Sequence, residues 1–273
     1  MQGFLGGHRR WNFWAGLIVL YAVTTALVAI LVFVVLVVVA LAVEMWAQRI
    51  RDHGVLLSVT AAACLVAAVV GWVANAKKGE RKELFRLQRF AAANGFDFAP
   101  EVKEPDLPGL IFQRGTLRRS SARLRRFGPR PLEVANYSAW IAKGRAGEPL
   151  IWSYFALTLD RRMPHVVLDA RANGRLPGTS SLPGARETSL GDGYRLICAP
   201  EAADWAHSLF TPEIVARFTR PGKKTAVDVE VVADRVFVYS RLRPLSGCDP
   251  ETWRWMSETA DALYDRLEDL LRS

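Results

Sequence analysis

The sequence has few cysteines and none of the common short catalytic motifs. Three cysteines occur in 273 residues, Cys64, Cys198 and Cys248, and their spacing fits neither a disulfide framework nor a zinc site. A nucleophile-elbow G-x-S-x-G, an H-E-x-x-H motif, a P-loop and a dinucleotide-binding fingerprint are all absent. We therefore predict no catalytic residue, no metal site and no cofactor.

Charge is absent from two long segments near the N-terminus, residues 17–43 and residues 54–76. A helix rises about 1.5 Å per residue and a bilayer core is about 30 Å thick, so each segment is long enough to span. The pattern predicts a cytosolic tail over residues 1–16 and a transmembrane hairpin over residues 17–76. A cleaved signal peptide is the alternative, although its apolar region is usually only about 7–15 residues long.

Basic residues around these segments predict their orientation. The connecting loop contains Arg49 and Arg51, whereas six basic residues follow the second segment: Lys77, Lys78, Arg81, Lys82, Arg86 and Arg89. Because basic flanks stay on the cytosolic side, we predict a multi-pass, integral plasma-membrane protein with both termini in the cytoplasm. Its partners would then include membrane lipids.

Small residues recur every four positions in the second segment, at Ala63, Ala67 and Gly71. This spacing places them on one helix face, where another helix can approach closely in a membrane. The alternative is that alanine is simply common in membrane helices. Neither apolar segment contains an Asp, Glu, Lys, Arg or His, which argues against a transport pathway.

The remainder of the chain predicts a connector helix over residues 77–95 and a cytosolic α+β domain over residues 96–273. Residues 96–131 are rich in proline and glycine and are predicted to be mostly loop. Alternating apolar residues after them predict a mainly antiparallel sheet of three hairpins and one further strand at 165–169. The hairpins comprise residues 132–141 with 150–159, 186–190 with 194–198, and 227–231 with 235–241.

Three helices are predicted among and after these strands. One covers about residues 200–209, and a second begins at Thr211-Pro212, where threonine can cap and proline suits the first helical position. The last covers residues 250–272. Its apolar stripe is too short and too wide for a safe coiled-coil assignment, so we predict that this helix docks on the sheet.

Two pairs of ionisable residues are candidates for chemistry. His165 and Asp169 lie four apart in a predicted strand, so they share a face but are too distant to bond directly. Asp204 and His207 are close enough to touch on a helix, yet no serine or cysteine nearby completes a nucleophile arrangement. A structural role is favoured for all four.

An arginine-rich segment is the most unusual stretch of the domain. No acidic residue interrupts its seven arginines, Arg114, Arg118, Arg119, Arg123, Arg125, Arg126 and Arg130. We predict a mobile basic loop that contacts an anionic surface such as cytosolic lipid. A solvated loop without a ligand is the alternative, and nucleic acid is disfavoured because aromatic residues are not interleaved with the arginines.

Three segments of the domain resemble a group of uncharacterised actinobacterial membrane proteins: residues 163–169, 209–214 and 229–239. In that group a short membrane region precedes a cytosolic domain of unknown function. The resemblance covers about the last 110 residues and implies an architecture, without implying catalytic residues.

Two functional hypotheses follow from the sequence. The first is a membrane-anchored, non-enzymatic cytosolic module that acts in protein interaction or scaffolding. The second is a membrane-tethered enzyme whose site assembles from residues distant in sequence, for example around His165 or His207. The sequence does not specify the partner, the substrate or the oligomeric state.

Overall fold

The chain divides into two compact units, Met1–Glu83 and Leu84–Ser273. The computed structural model describes residues 30–43, 53–142, 147–218, 226–241 and 249–272. The predicted tail at 1–16, the first part of the first apolar segment and the loop that follows that segment lie outside the described residues. The two units are considered separately below.

The first unit contains helix α1, residues 30–43, and most of helix α2, His53–Ala93. Among the described residues, no helix combines the length and the apolar character that crossing a bilayer requires. The predictions of transmembrane helices, an integral membrane protein and a multi-pass plasma-membrane location with cytoplasmic termini are therefore wrong. Helix α2 continues unbroken from the apolar segment into a charged one.

Helix α2 also differs from the predicted connector helix, because it begins at His53 rather than near residue 77. Ala63, Ala67 and Gly71 are exposed on it, and a Cβ atom added at Gly71 would meet no atom within 4 Å. Packing of another helix on this face stays a prediction.

The second unit is built on one seven-stranded sheet in the order β1-β2-β3-β4-β6-β5, with β7 paired to β4. Every pairing is antiparallel, which confirms the predicted mainly antiparallel α+β class. The strands are β1 (Asp97–Lys103), β2 (Thr116–Arg126), β3 (Leu132–Ile141), β4 (Glu148–Ala170), β5 (Arg186–Leu190), β6 (Tyr194–Cys198) and β7 (Asp228–Arg241).

The β4–β7 pair forms the long axis of the sheet. The first half of β4 also pairs with β3 and its second half with β6. The predicted separate strand at 165–169 is therefore part of β4, and the predicted hairpin within 227–241 is one continuous strand. At the predicted turn, Ala233 adopts a φ of 53° opposite Met163, where the register shifts. Such a bulge kinks a strand without reversing it.

The predicted loop at 96–131 is also wrong in part, because it contains β1 and β2. Strand β2 carries two irregularities in its pairing with β3, and Leu117 and Ala122 lie there with φ angles of 54° and 50°. Polar side chains are frequent in this strand and two bulges interrupt it, so its sequence lacks the apolar alternation that identifies a strand.

The predicted helices are confirmed. Residues Pro200–Ala202 form a 3₁₀ turn that leads into α3 (Ala203–Leu209), and α4 (Pro212–Arg217) follows. The Thr211 side chain accepts a hydrogen bond from the Ile214 N–H, as predicted for a helix cap. Helix α5 (Pro250–Arg272) buries Met256, Leu263 and Leu267 in the core cluster that includes β4 and β7 side chains.

The sheet has two covered faces. Helices α3, α4 and α5 cover one, the helix-covered face, where Phe155, Val166 and Val238 lie. The other, the loop-covered face, carries five aromatic residues and is covered by two irregular segments, residues 104–115 and residues 171–185. The five aromatic residues are Tyr137, Trp152, Tyr154, Phe237 and Tyr239.

Phe112 is the central side chain of the 104–115 segment, which contains the 3₁₀ helix Leu110–Gln113. Its ring centroid lies 4.8 Å from that of Tyr137, 5.0 Å from that of Tyr154 and 5.2 Å from that of Phe237. The side chain is fully buried. The segment is therefore part of the hydrophobic core.

We expect the Phe112→Ala variant to lose about 3–5 kcal/mol of unfolding free energy, because truncation leaves a cavity among the aromatic rings. Urea unfolding of the full chain, followed by tryptophan fluorescence, measures this loss. Phe127→Ala is the matched control, since Phe127 is 60% exposed. Equal stability of the two variants would show that the segment does not contribute to the core.

Candidate functional site

Four carboxylates are buried in the described part of the second unit, and all lie on the loop-covered face: Glu133, Asp169, Asp228 and Glu230. A buried carboxylate is costly unless donors surround it. The donors here come from neighbouring strands and from the two covering segments. We treat this polar layer as the candidate functional site.

Glu230 lies at the centre of this layer and is fully buried. The Leu110 N–H donates to both of its oxygens, at 3.1 Å and 2.9 Å, and the Tyr239 hydroxyl donates to Oε2 at 2.7 Å. Burial, together with the charge of Glu230, raises the pKa of Tyr239 well above its ordinary value. Tyr239 therefore remains a hydrogen-bond donor, and Glu230 fixes the 104–115 segment to β7.

Gly109 allows this close contact. A Cβ atom at this position would lie 2.2 Å from the Tyr239 hydroxyl oxygen and 3.1 Å from Glu230 Oε2. Only glycine leaves room for the backbone to approach the carboxylate so closely. The Pro108-Gly109 dipeptide is visible in the sequence, but its partner is more than 100 residues away.

His165 binds the same carboxylate from β4, with its Nε2 2.8 Å from Glu230 Oε1. One third of its side chain is exposed. The sequence correctly separates His165 from Asp169 but does not identify Glu230, because that contact depends on the β4–β7 register. A buried carboxylate that orients a partly exposed imidazole is an arrangement used in general-base catalysis.

The chemistry available around His165 is nevertheless limited. Within the described ranges, no group of three or more His, Cys, Asp or Glu side chains is placed to hold a metal ion. The other candidate pair, Asp204 and His207, is exposed on α3. The contacts of Glu230 with Leu110 and Tyr239 give it a structural role that does not depend on catalysis.

Glu133 organises a second cluster, at the β2–β3 end of the layer. Its Oε1 accepts from the Tyr154 hydroxyl at 2.7 Å, and its Oε2 lies 2.7 Å from Arg123 Nη2. Burial lowers the pKa of Arg123, but the hydrogen bond and the charge of Glu133 together outweigh this effect, so the pKa is raised. Arg125 Nε is more distant from the same oxygen, at 3.7 Å.

Asp169 and Asp228 form a third cluster, at the end of β4. Asp169 accepts from the Leu176 N–H at 2.7 Å and lies 2.7 Å from Arg195 Nη2. Asp228 accepts from the Ala170 N–H at 2.7 Å and from the Asn173 amide at 3.0 Å. These contacts attach the 171–185 segment to the sheet.

The seven predicted contact arginines do not form a mobile loop. Arg114 precedes β2 and Arg130 follows it, whereas the other five lie within the strand. Arg118 Nε lies 2.6 Å from Glu104, Arg119 lies 3.7 Å from Glu101, and Arg130 lies 2.6 Å from Asp265 of α5. Carboxylates on adjacent elements compensate these charges, which explains how a strand accommodates so many arginines.

Two further arginines contact aromatic rings. The guanidinium carbon of Arg125 lies 4.8 Å from the centroid of Phe127, and that of Arg126 lies 5.6 Å from the centroid of Phe96. Both distances fall within the range of cation–π contacts. Arg125 and Phe127 are also exposed, at 42% and 60%, so this pair is accessible at the surface.

Comparison with known proteins identifies no family for this chain. No family model matches it. No curated protein matches it either. One solved structure that resembles it is that of the mycobacterial trehalose monomycolate transport factor A, TtfA, with 14% identity and a TM-score of 0.47. The alignment covers 67% of this chain and 93% of that one. This similarity is too low to support an argument about function.

We expect Glu230→Ala to lower the unfolding free energy by about 2–4 kcal/mol, because the Leu110 N–H and the Tyr239 hydroxyl lose their buried acceptor. Urea unfolding of the full chain gives the value. Glu258→Ala, at an exposed position of α5, should change stability by no more than about 0.5 kcal/mol. A Glu230 variant as stable as this control would contradict the assigned role.

Proposed function

We propose that the second unit is a non-enzymatic interaction module that binds an acidic segment of a protein partner through Arg125 and Phe127. The exposed stack of these two side chains is the observation that carries the proposal. Arginine and aromatic residues are enriched at protein interfaces, where a few such side chains supply most of the binding energy.

The environment of Arg125 supports an acidic partner. Glu133 lies 2.7 Å from Arg123 but 3.7 Å from Arg125, so the stronger contact is made by Arg123. Arg125 therefore retains donors that can bind a carboxylate on another molecule. A guanidinium binds carboxylates through two parallel hydrogen bonds, which gives geometric specificity as well as charge attraction.

The polar layer supports a non-enzymatic role. Glu133, Asp169 and Glu230 each contact donors from strands or covering segments at 2.7–2.9 Å. These contacts hold the covering segments in place. Binding is then expected at the surface beside the layer, where Arg125 and Phe127 are accessible.

Site-specific photocrosslinking in the native host tests this proposal. A photoreactive phenylalanine analogue replaces Phe127 in the full chain, and the same analogue replaces Leu117 as a control, because Leu117 is 67% exposed at the other end of β2. We expect a discrete protein adduct from position 127 and none from position 117.

Charge reversal completes the test. Arg125→Glu should reduce the adduct at least about tenfold, because it places a negative charge against an acidic partner. Arg161→Glu is the matched control, since Arg161 is 54% exposed and lies on β4. Crosslinks to lipid alone, an adduct equally strong from position 117, or an equal loss in both charge variants would each overturn the proposal.

A further inference from the structure

The Asp169–Asp228 cluster brings two carboxylates together in a row across three strands. Asp169 is paired with Arg195 of β6, and the Leu168–Val229 pairing places Asp228 of β7 beside Asp169. Both carboxylates are completely buried. Arg195 Nη2 lies 2.7 Å from Asp169, which compensates one of the two possible negative charges.

Both carboxylates also hold the 171–185 segment. Asp169 accepts from the Leu176 N–H, and Asp228 accepts from the Asn173 amide and from the Ala170 N–H immediately before the segment. Leu176 is buried in the aromatic core of the loop-covered face. Arg241 adds a bond from its Nη1 to the Asn173 carbonyl at 3.0 Å.

We infer that Asp169 and Asp228 form a proton-dependent latch. The 171–185 segment stays bound to the sheet while the two carboxyl groups carry one negative charge between them, and it is released when both are ionised. Like charges placed directly opposite each other in a sheet are destabilising, and their repulsion is strong when water is excluded. Release would expose the part of the aromatic core that Leu176 covers.

The proton affinity of Asp228 is consistent with this latch. The pKa of Asp228 is raised to about 8, mainly by burial and also by the charge of Asp169, against the opposing bonds from Ala170 and Asn173 and the charge of Arg195. In the open segment the carboxyl is hydrated and its pKa returns towards its ordinary value. The closed state therefore binds the proton more tightly, and the free energy that favours the closed over the open state falls as the pH rises towards 8.

Other charged or titratable groups surround the cluster on each packed element. On the segment, Arg171 donates to Ser189 of β5, and Arg175 pairs with Glu187 of β5 at 2.5 Å. Strand β6 contributes Tyr194, whose pKa is raised by burial and by Asp228, so it stays neutral in this range. The remaining groups are Arg195 on β6 and Glu230 and Arg241 on β7. Among the residues that the structure describes, ionisation of Asp228 thus adds a charge opposite Asp169 without a second arginine in an ion pair with either carboxylate.

Hydrogen–deuterium exchange of the full chain measures the latch. With rates corrected for intrinsic exchange, we expect protection of peptides within 171–185 to fall at least about tenfold between about pH 6 and pH 9. Between the open-state and closed-state pKa values of Asp228, each pH unit weakens closure by about a factor of ten. Peptides of α5 should show no comparable change. Constant protection of 171–185 over this range would overturn the inference.

Two variants separate the latch from general alkaline loosening. Asp228→Asn stays neutral, and its amide can bond Asn173, whose Oδ1 has no hydrogen-bond partner among the described residues, so protection should become independent of pH. Asp192→Asn, at an exposed turn, should respond like the unmodified chain.

Asp169→Asn provides a second measurement if the Asp228 variant does not fold. With Asp169 neutral, ionised Asp228 is the single negative charge of the pair and Arg195 can compensate it, so the fall in protection between about pH 6 and pH 9 should be reduced or lost. A fall in protection as large as that of the unmodified chain would contradict the latch, as would an Asp228→Asn variant that keeps the pH response.

Discussion

The burial of four carboxylates on one face of the sheet is the constraint on which the second unit depends. Each carboxylate needs donors that water would otherwise supply. The 104–115 segment supplies the Leu110 N–H to Glu230, and the 171–185 segment supplies the Leu176 N–H to Asp169. These two irregular segments are therefore as necessary to the fold as the helices on the opposite face.

The β4–β7 pairing makes this arrangement possible. It places Glu230 beside His165 and Asp228 beside Asp169, although the partners lie far apart along the chain, Glu230 and His165 by 65 residues. The register changes by four residues between Thr158–Arg235 and Val166–Val231; the extra residues lie on β4, and Ala233 with its positive φ faces them on β7. The same strand thus carries carboxylates near its start and aromatic residues near its end.

The sequence predicts elements whose signals are local. The β5–β6 hairpin, the Thr211 cap and the bounds of α5 follow from a glycine turn, a capping residue and an apolar stripe, and the structure has them as predicted. Strand β2 and the continuity of β7 are missed, because their bulges interrupt the alternation from which strands are identified. The transmembrane prediction uses the absence of charge and the segment length, but no helix among the described residues has the length and apolar character that a span requires.

The burial of Asp228 and Glu230 does not follow from the sequence, for a related reason. Val227-Asp228-Val229-Glu230-Val231 alternates like a strand with one face in water, yet Asp228 and Glu230 are as buried as the valines between them. Alternation identifies which side chains share a face, but it does not tell whether a distant loop covers that face. Gly109 and Leu176 are the residues that provide this cover, and neither has a partner that sequence spacing can identify.

The covering segments also determine where the second unit can meet another molecule. Their N–H groups already bond the carboxylates of the polar layer, so these carboxylates are unavailable to a ligand while both segments are closed. At the end of β2, by contrast, Glu133 is already bound by Arg123, and Arg125 extends over exposed Phe127. The internal pairing of one arginine thus leaves its neighbour accessible, and this is why the interaction surface is expected beside the buried layer.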